Sequence, residues 1–502
     1  MKLFAARLAA SGLAASLALG PVGCDDSAPE EVALNDDMDL FADGGKTDTG
    51  YVSDQAAEVN AELVGKVVID LSQRDQATRD SLLAAARAGD KTAFTSFPTD
   101  QVKFARNVLK KEKFNANIES GSPTIDSVKL VSNDTKVEVT YKLVVESLIK
   151  EKDLKAGGLS LAQIIGKKVD ILVPADPKTA FTWGGVACAE DPDDPTEDVA
   201  SELYEYNYFY YWKADKAGCP VTSEKVAFTV KNTSAAKSTY PEFDQLLADK
   251  KITMVVLFGQ LEHGDLLSGQ NDEWDWGWIG YEDLTYWLKD EGFTEKTRVP
   301  ARAPVGKVQS SKWSKKYHAN LTVEVDVISP MDLQDHADSA KKDEILKNAV
   351  KTHEIVYYNG HSFYGSLKVL DDKANFPEYY QIIFMDSCWS YAYYTKQVFT
   401  AKATAADPSG MLKADVLNNT EPGISGSHVT FSVFLKKLFT AATYVAKGQK
   451  SSAKNYTWKN LVTYMNTSAK KRSEDSKKED PTGGHEPEIY GVSGVTTNVW
   501  KP

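Results

Sequence analysis

Two residues in the C-terminal half of the chain have the types and spacing for nucleophilic catalysis. The apolar run Ile355-Val356-Tyr357-Tyr358 is followed by Asn359-Gly360-His361-Ser362, and the run Ile382-Ile383-Phe384-Met385 by Asp386-Ser387-Cys388-Trp389-Ser390. A cysteine thiolate is a nucleophile, and an imidazole can take its proton or stabilise its charge. His361 and Cys388 are 27 residues apart, enough for one crossover between neighbouring parallel strands. Each stands just past the carboxyl end of its run, where open α/β sheets form their sites. Neighbouring strands lie about 4.8 Å apart, so both side chains are expected to face one cleft. A rival histidine, His263, follows the run Ile252 to Phe258 in Gly259-Gln260-Leu261-Glu262-His263-Gly264. It lies further past its strand, so His361 is preferred as the partner of Cys388 and His263 is expected to line the same cleft. The bland alternative is a packed histidine and a buried, inert thiol, a common state for free cysteine.

Apolar strand, His-Gly, apolar strand, Asp-x-Cys is the pattern of the caspase-like cysteine peptidases, the clan of caspases, metacaspases, gingipains and clostripain. Residues of roughly 250 to 450 resemble it, and Asp386-Ser387-Cys388 looks like the metacaspase form of the second motif. The resemblance implies a cysteine endopeptidase in which Cys388 attacks the carbonyl, His361 transfers the proton, and the backbone N–H groups of Cys388 and Ser362 hold the oxyanion. The family commonly has Gly directly after the His; here Gly360 precedes it and Ser362 follows. The matching metacaspase Asp lines a pocket for a basic side chain, so the resemblance implies cleavage after Arg or Lys, with Asp386 binding substrate. A carboxylate in a partly dry pocket does need a cationic partner. Asp386 capping the helix that starts near Ser390, or bonding N–H groups around Cys388, remains the alternative. A caspase-like binding or scaffold protein without turnover is the competing function.

Other chemistries lack their signatures. No HExxH or CxxC spacing occurs for zinc, and no phosphate loop or GxSxG elbow is present. No organic cofactor is implied. Calcium is the one ion that the acidic stretches admit, at Asp272, Glu273 and Asp275 or in the loop Glu190 to Asp198; exposed acidic turns are the simpler reading of both. A net charge of −13 argues against nucleic acid or anionic lipid as a partner; a peptide or protein substrate is what the resemblance implies. The oligomeric state is not legible.

The elements that must hold these residues alternate between strand and helix. Ile252 to Phe258, Leu321 to Val327, Glu354 to Tyr358 and Gln381 to Met385 read as strands; Trp278 to Asp290, Ser339 to Thr352 and Val429 to Ala446 read as helices. The expected fold for 250–502 is therefore α/β, a parallel sheet with flanking helices. Residues 62–240 read as a smaller α+β or mostly β accessory module: a helix over Gln76 to Ala88, a hairpin of Asp126 to Val131 and Lys136 to Val145 turning at Asn133-Asp134, and a strand over Lys168 to Val173. Tyr204, Tyr206, Tyr208 and Tyr210 recur at period two, which predicts one strand face.

The first residues predict export. Lys2 and Arg7 precede an apolar run from Leu8 to Gly20, too short to span a bilayer, and Val22-Gly23-Cys24 resembles a lipobox. Residues 1–23 are then a cleaved signal, Cys24 is acylated, and 24–61 is an acidic disordered tether. The chain is expected in the cell envelope, anchored to the membrane by lipid, in an oxidising compartment. Of the four cysteines, Cys188 and Cys219 share one local segment and are expected to pair, which leaves Cys388 free. Intact mass of membrane-extracted protein checks the anchor: the mature chain should begin at an acylated Cys24, and an unmodified soluble N-terminus contradicts it.

Overall fold

A computed structural model describes residues 50–118, 123–192, 195–196, 198–234, 239–261, 275–300, 308–330, 339–362, 367–421, 423, 428–479 and 486–502. The signal, Cys24, His263, Asp272 and Glu273 lie outside the described residues.

The first sheet is built on two long strands. β1 (Ala56–Asp70) and β4 (Lys136–Lys150) pair antiparallel throughout, with Ala56 opposite Lys150 and Asp70 opposite Lys136. β1 begins inside the stretch that composition assigned to the tether. Ala57, Val59, Ala61 and Leu63 are all buried there, but small alanines between acidic residues hide the period-two pattern. β2 (Phe114–Asn117), β3 (Thr124–Val131), β5 (Lys168–Pro174) and β6 (Ser223–Ser234) complete an antiparallel sheet in the order β2-β4-β1-β6-β5, with β3 also on β4. Ser132, Asn133 and Asp134 take φ of 55°, 54° and 62° at the β3–β4 turn, a conformation that Asn and Asp tolerate. Helices α1 (Gln76–Ala88), α2 (Ser96–Lys103) and α3 (Arg106–Lys111) lie between β1 and β2 in the chain.

The tyrosine stripe is not a strand. Asn207 accepts the Tyr204 N–H at 2.8 Å and donates to the Glu202 carbonyl at 2.9 Å, closing a turn that leads into a one-turn helix, Tyr208–Tyr211. Tyr204 and Tyr206 stack on each other in solvent while Tyr208 enters the core. Side-chain hydrogen bonds of Asn compete with the extended backbone and override the period-two spacing.

The second sheet corrects the expectation of a parallel sheet with flanking helices. It has eight strands in the order β14-β13-β12-β11-β7-β10-β9-β8: β7 (Lys251–Phe258), β8 (Thr294–Pro300), β9 (Val308–His318), β10 (Leu321–Ile328), β11 (Ile355–Asn359), β12 (Gln381–Asp386), β13 (Ala414–Asn419) and β14 (Tyr490–Ser493). The block β13-β12-β11-β7-β10 is parallel, but β8, β9 and β14 run antiparallel on its flanks. With the antiparallel first sheet, the architecture is mixed α/β. β8 and β9 escape sequence reading because they are rich in Lys, Thr and Ser; in β8, the edge strand, such a composition keeps the exposed edge from pairing with another chain.

Both faces of the parallel block are covered, which explains its unbroken apolar runs. Ile252, Met254, Val256 and Phe258 of β7 pack with helices α4 (Trp276–Asp290), α6 (Val429–Ala446) and α7 (Trp458–Glu479), if α5 denotes Ser390–Lys402. Val255 and Leu257, on the opposite face, join a core that also holds Val59 and Leu63 of β1 and Val398 of α5. The helix Val429–Ala446 is apolar and long enough to cross a membrane, but ten of its residues are buried, most of them in the core on the Ile252 face of β7. Ahead of β1, Val52 and Val492 exchange backbone hydrogen bonds of 2.8 and 3.0 Å.

Cys188 and Cys219 form the expected disulfide across a separation of 31 residues, with Cα atoms 4.7 Å apart. Closing that loop should stabilise the fold by roughly 3–4 kcal/mol in the chain-entropy account. Urea unfolding of a Cys188→Ala/Cys219→Ala variant checks this, and an unchanged midpoint contradicts it.

Candidate functional site

Asn359 lies opposite Asp386 in the parallel ladder of β11 and β12. His361 and Cys388 each stand two residues beyond that pair, so they leave adjacent strands side by side at the same end of the sheet. The histidine segment is held by backbone contacts. The Tyr358 hydroxyl donates to the His361 carbonyl at 2.9 Å, and the Tyr394 hydroxyl to the Ser362 carbonyl. Gly360 is needed for close approach, because a Cβ there would meet Tyr358 Oη at 2.6 Å and Gly259 Cα at 3.2 Å. Gly259 N–H donates to the Asn359 carbonyl at 2.8 Å. That packing accounts for Gly before His in this chain. His361 itself is exposed and Ser362 half-buried.

Cys388 sits in the turn between β12 and α5. The next residue, Trp389, takes φ of 49°, a left-handed conformation that costs a residue with a Cβ about 1–2 kcal/mol. Its N–H donates to the Glu421 carbonyl at 3.0 Å, and Lys110 Nζ lies 4.0 Å above its ring. Gly423 N–H donates to Cys388 Sγ at 3.2 Å. Burial raises the thiol above its ordinary range; the N–H of Gly423 and its own N–H act against this, Asp386 adds to it, and Lys110 opposes it. The thiol is therefore protonated at neutral pH, and attack requires a base to accept its proton. The start of α5, where backbone N–H groups favour negative charge, lies beside it. Gly423, Lys110 and Glu421 come from distant parts of the chain, and no local signal marks them.

Asp386 is enclosed rather than open to a cleft. Its Oδ2 accepts the Tyr357 hydroxyl at 2.8 Å and its Oδ1 the Tyr490 hydroxyl at 3.0 Å, and it is 4% exposed. It neither caps α5 nor bonds N–H groups around Cys388 in these contacts. Burial first and Glu488 second push its carboxyl up to about 7, against the tyrosine hydrogen bonds and Arg472. Arg472 and Glu488 form an ion pair beside it, and His428 nearby is driven down to about 4 by burial and by Arg472.

Three of the carboxylates offered to calcium have other tasks. Asp275 caps α4 through the Trp278 N–H at 2.9 Å and accepts the Leu261 N–H at 2.9 Å. Glu190 pairs with Lys213 at 3.3 Å, and Asp198 accepts the Ala200 N–H at 3.1 Å. Among the described residues no group of three or more His, Cys, Asp or Glu is placed to hold a metal. No protein-family model, curated protein or solved structure matches the chain.

The raised carboxyl of Asp386 links the site to stability. Its folded value of about 7 exceeds the unfolded value of about 3.9, so the folded state holds the extra proton between them. The stabilisation is complete below the unfolded value and is lost as pH rises through about 7, at on the order of 1 kcal/mol per pH unit. Asp415, also pushed up to about 7 by burial, adds to the trend. Urea melts from pH 5 to 8 should show falling stability, and Asp386→Asn should flatten the slope; an unchanged slope in the variant contradicts the assignment.

Proposed function

We propose that this chain is a lipid-anchored cysteine endopeptidase of the cell envelope, with Cys388 as nucleophile and His361 as its base. The observation that carries the reading is the common register of the two residues at the ends of adjacent parallel strands, joined to a strained turn at the start of a helix. In the proposed reaction Cys388 Sγ bonds to the substrate carbonyl carbon as its proton passes to His361. The oxyanion is held by the N–H groups of Cys388 and Ser362. Collapse of the adduct breaks the C–N bond, His361 returns the proton to the leaving amine, and water hydrolyses the thioester. Selectivity for a basic residue is not carried into the proposal, because both Asp386 oxygens already accept tyrosine hydroxyls. His263, as a residue lining the cleft, remains an expectation of the sequence alone.

One observation favours a second reading, a binding lipoprotein without turnover: the raised thiol of the half-buried Cys388. Fluorogenic peptide libraries on the purified protein separate the two. The peptidase reading expects hydrolysis that falls roughly a thousandfold or more in Cys388→Ala and in His361→Ala. Hydrolysis that survives Cys388→Ala overturns the nucleophile. An absence of hydrolysis, with Cys388 alkylated only above its raised range, supports the binding reading.

A further inference from the structure

A cavity of about 160 Å³ lies between the two sheets, walled by α3, β2 and β4 on one side and by the start of α5 and Thr420–Glu421 on the other. Four cations, Arg106, Lys110, Lys113 and Lys150, line it against one carboxylate, Glu421. Glu421 is engaged by Lys150 at 2.7 Å. This concentration of positive charge stands out in a chain of net charge −13. A partly enclosed space lined mainly by one sign of charge attracts a ligand of the opposite sign.

Arg106 and Lys110 are held against the wall, while the Lys113 side chain is exposed. Arg106 is 9% exposed, donates Nη2 to the Ala392 carbonyl at 3.2 Å and lies 4.2 Å from the centroid of the Tyr393 ring. Lys110 is stacked on Trp389. Lys113 takes φ of 72°, a strained conformation for a residue with a Cβ, and its N–H is tied to the Lys110 carbonyl at 2.9 Å. The remaining wall is largely apolar and aromatic: Phe114, Leu148, Tyr210 and Trp389. Small-molecule sites pair such a wall with a few converging polar groups.

We propose that this cavity binds a small organic anion, a carboxylate carried on a flat apolar body, with the carboxylate among Arg106, Lys110 and Lys113 and the body against Trp389 and Tyr210. The proposal does not depend on Cys388 being a nucleophile, although Trp389 follows it directly in the chain.

Benzoate serves as the probe, titrated into the full chain by calorimetry, with benzyl alcohol and benzylamine as the neutral and cationic counterparts. Benzoate should bind at least about tenfold more tightly than either, a difference of roughly 1.4 kcal/mol, and should weaken as salt rises. Lys113→Gly removes one cation at a position whose backbone favours glycine, so the fold is kept while benzoate affinity drops severalfold. Lys110→Gln should act the same way, and Lys470→Gln, on the exposed face of α7, should leave affinity unchanged. Equal binding of benzoate and benzyl alcohol, no benzoate binding up to about 10 mM, or an affinity unmoved by both Lys110→Gln and Lys113→Gly overturns the proposal.

Discussion

Every residue of β11 and β12 is buried, and the strands on either side of them are covered on both faces. Water reaches these ladders only at their ends, and any polar side chain within them must bring its own partner. Tyr357, Asp386 and Tyr490 satisfy one another in this way. Asp415 does the same with the Trp458 indole at 2.8 Å and Asn498 at 2.7 Å. The same enclosure raises both carboxyls and the Cys388 thiol. Reactive groups with access to a substrate are consequently confined to the residues just past the strand ends.

The antiparallel sheet completes that end of the molecule. Asn115 of β2 donates to the Thr420 carbonyl at 2.9 Å, Lys150 of β4 pairs with Glu421, and the Tyr391 hydroxyl of α5 donates to Glu58 of β1 at 2.6 Å. Lys110 brings a positive charge to the thiol from the same side. The environment of Cys388 is thus shared between two sheets that lie far apart in sequence, and burial dominates it: one lysine and two N–H groups offset the desolvation only in part.

Elements with a strong local period were legible in the sequence. The helices Gln76–Ala88, Ser339–Thr352 and Val429–Ala446 and the strand at Leu321 follow directly from their apolar spacing. What escaped lacks such a period or is decided elsewhere. β1 opens with alanines among acidic residues; β8 and β9 are polar in composition; β14 is four residues long and takes its place through α7. The neighbouring, parallel placement of the strands that precede His361 and Cys388 was legible, because connection length and strand ends constrain it. The tyrosine cover of Asp386 was not, since Tyr490 reaches it from 104 residues away. The cavity beside Trp389 was invisible for the same reason: its cations come from α3, β4 and the turn between α3 and β2.

The bridge between Val52 and Val492 has a mechanical meaning. Tyr51 lies against Gly491, where a Cβ would fall 2.1 Å from its hydroxyl oxygen, and its ring meets Tyr391 edge-on at 5.3 Å. A pull on the residues before Gly50 is therefore borne first by two backbone hydrogen bonds and one aromatic plug. These load the outermost strand of the mixed sheet, while the ladder of β1 with β4 lies behind them in the line of force. The plug and bridge thus stand between the preceding chain and the fifteen-residue pairing of β1 with β4.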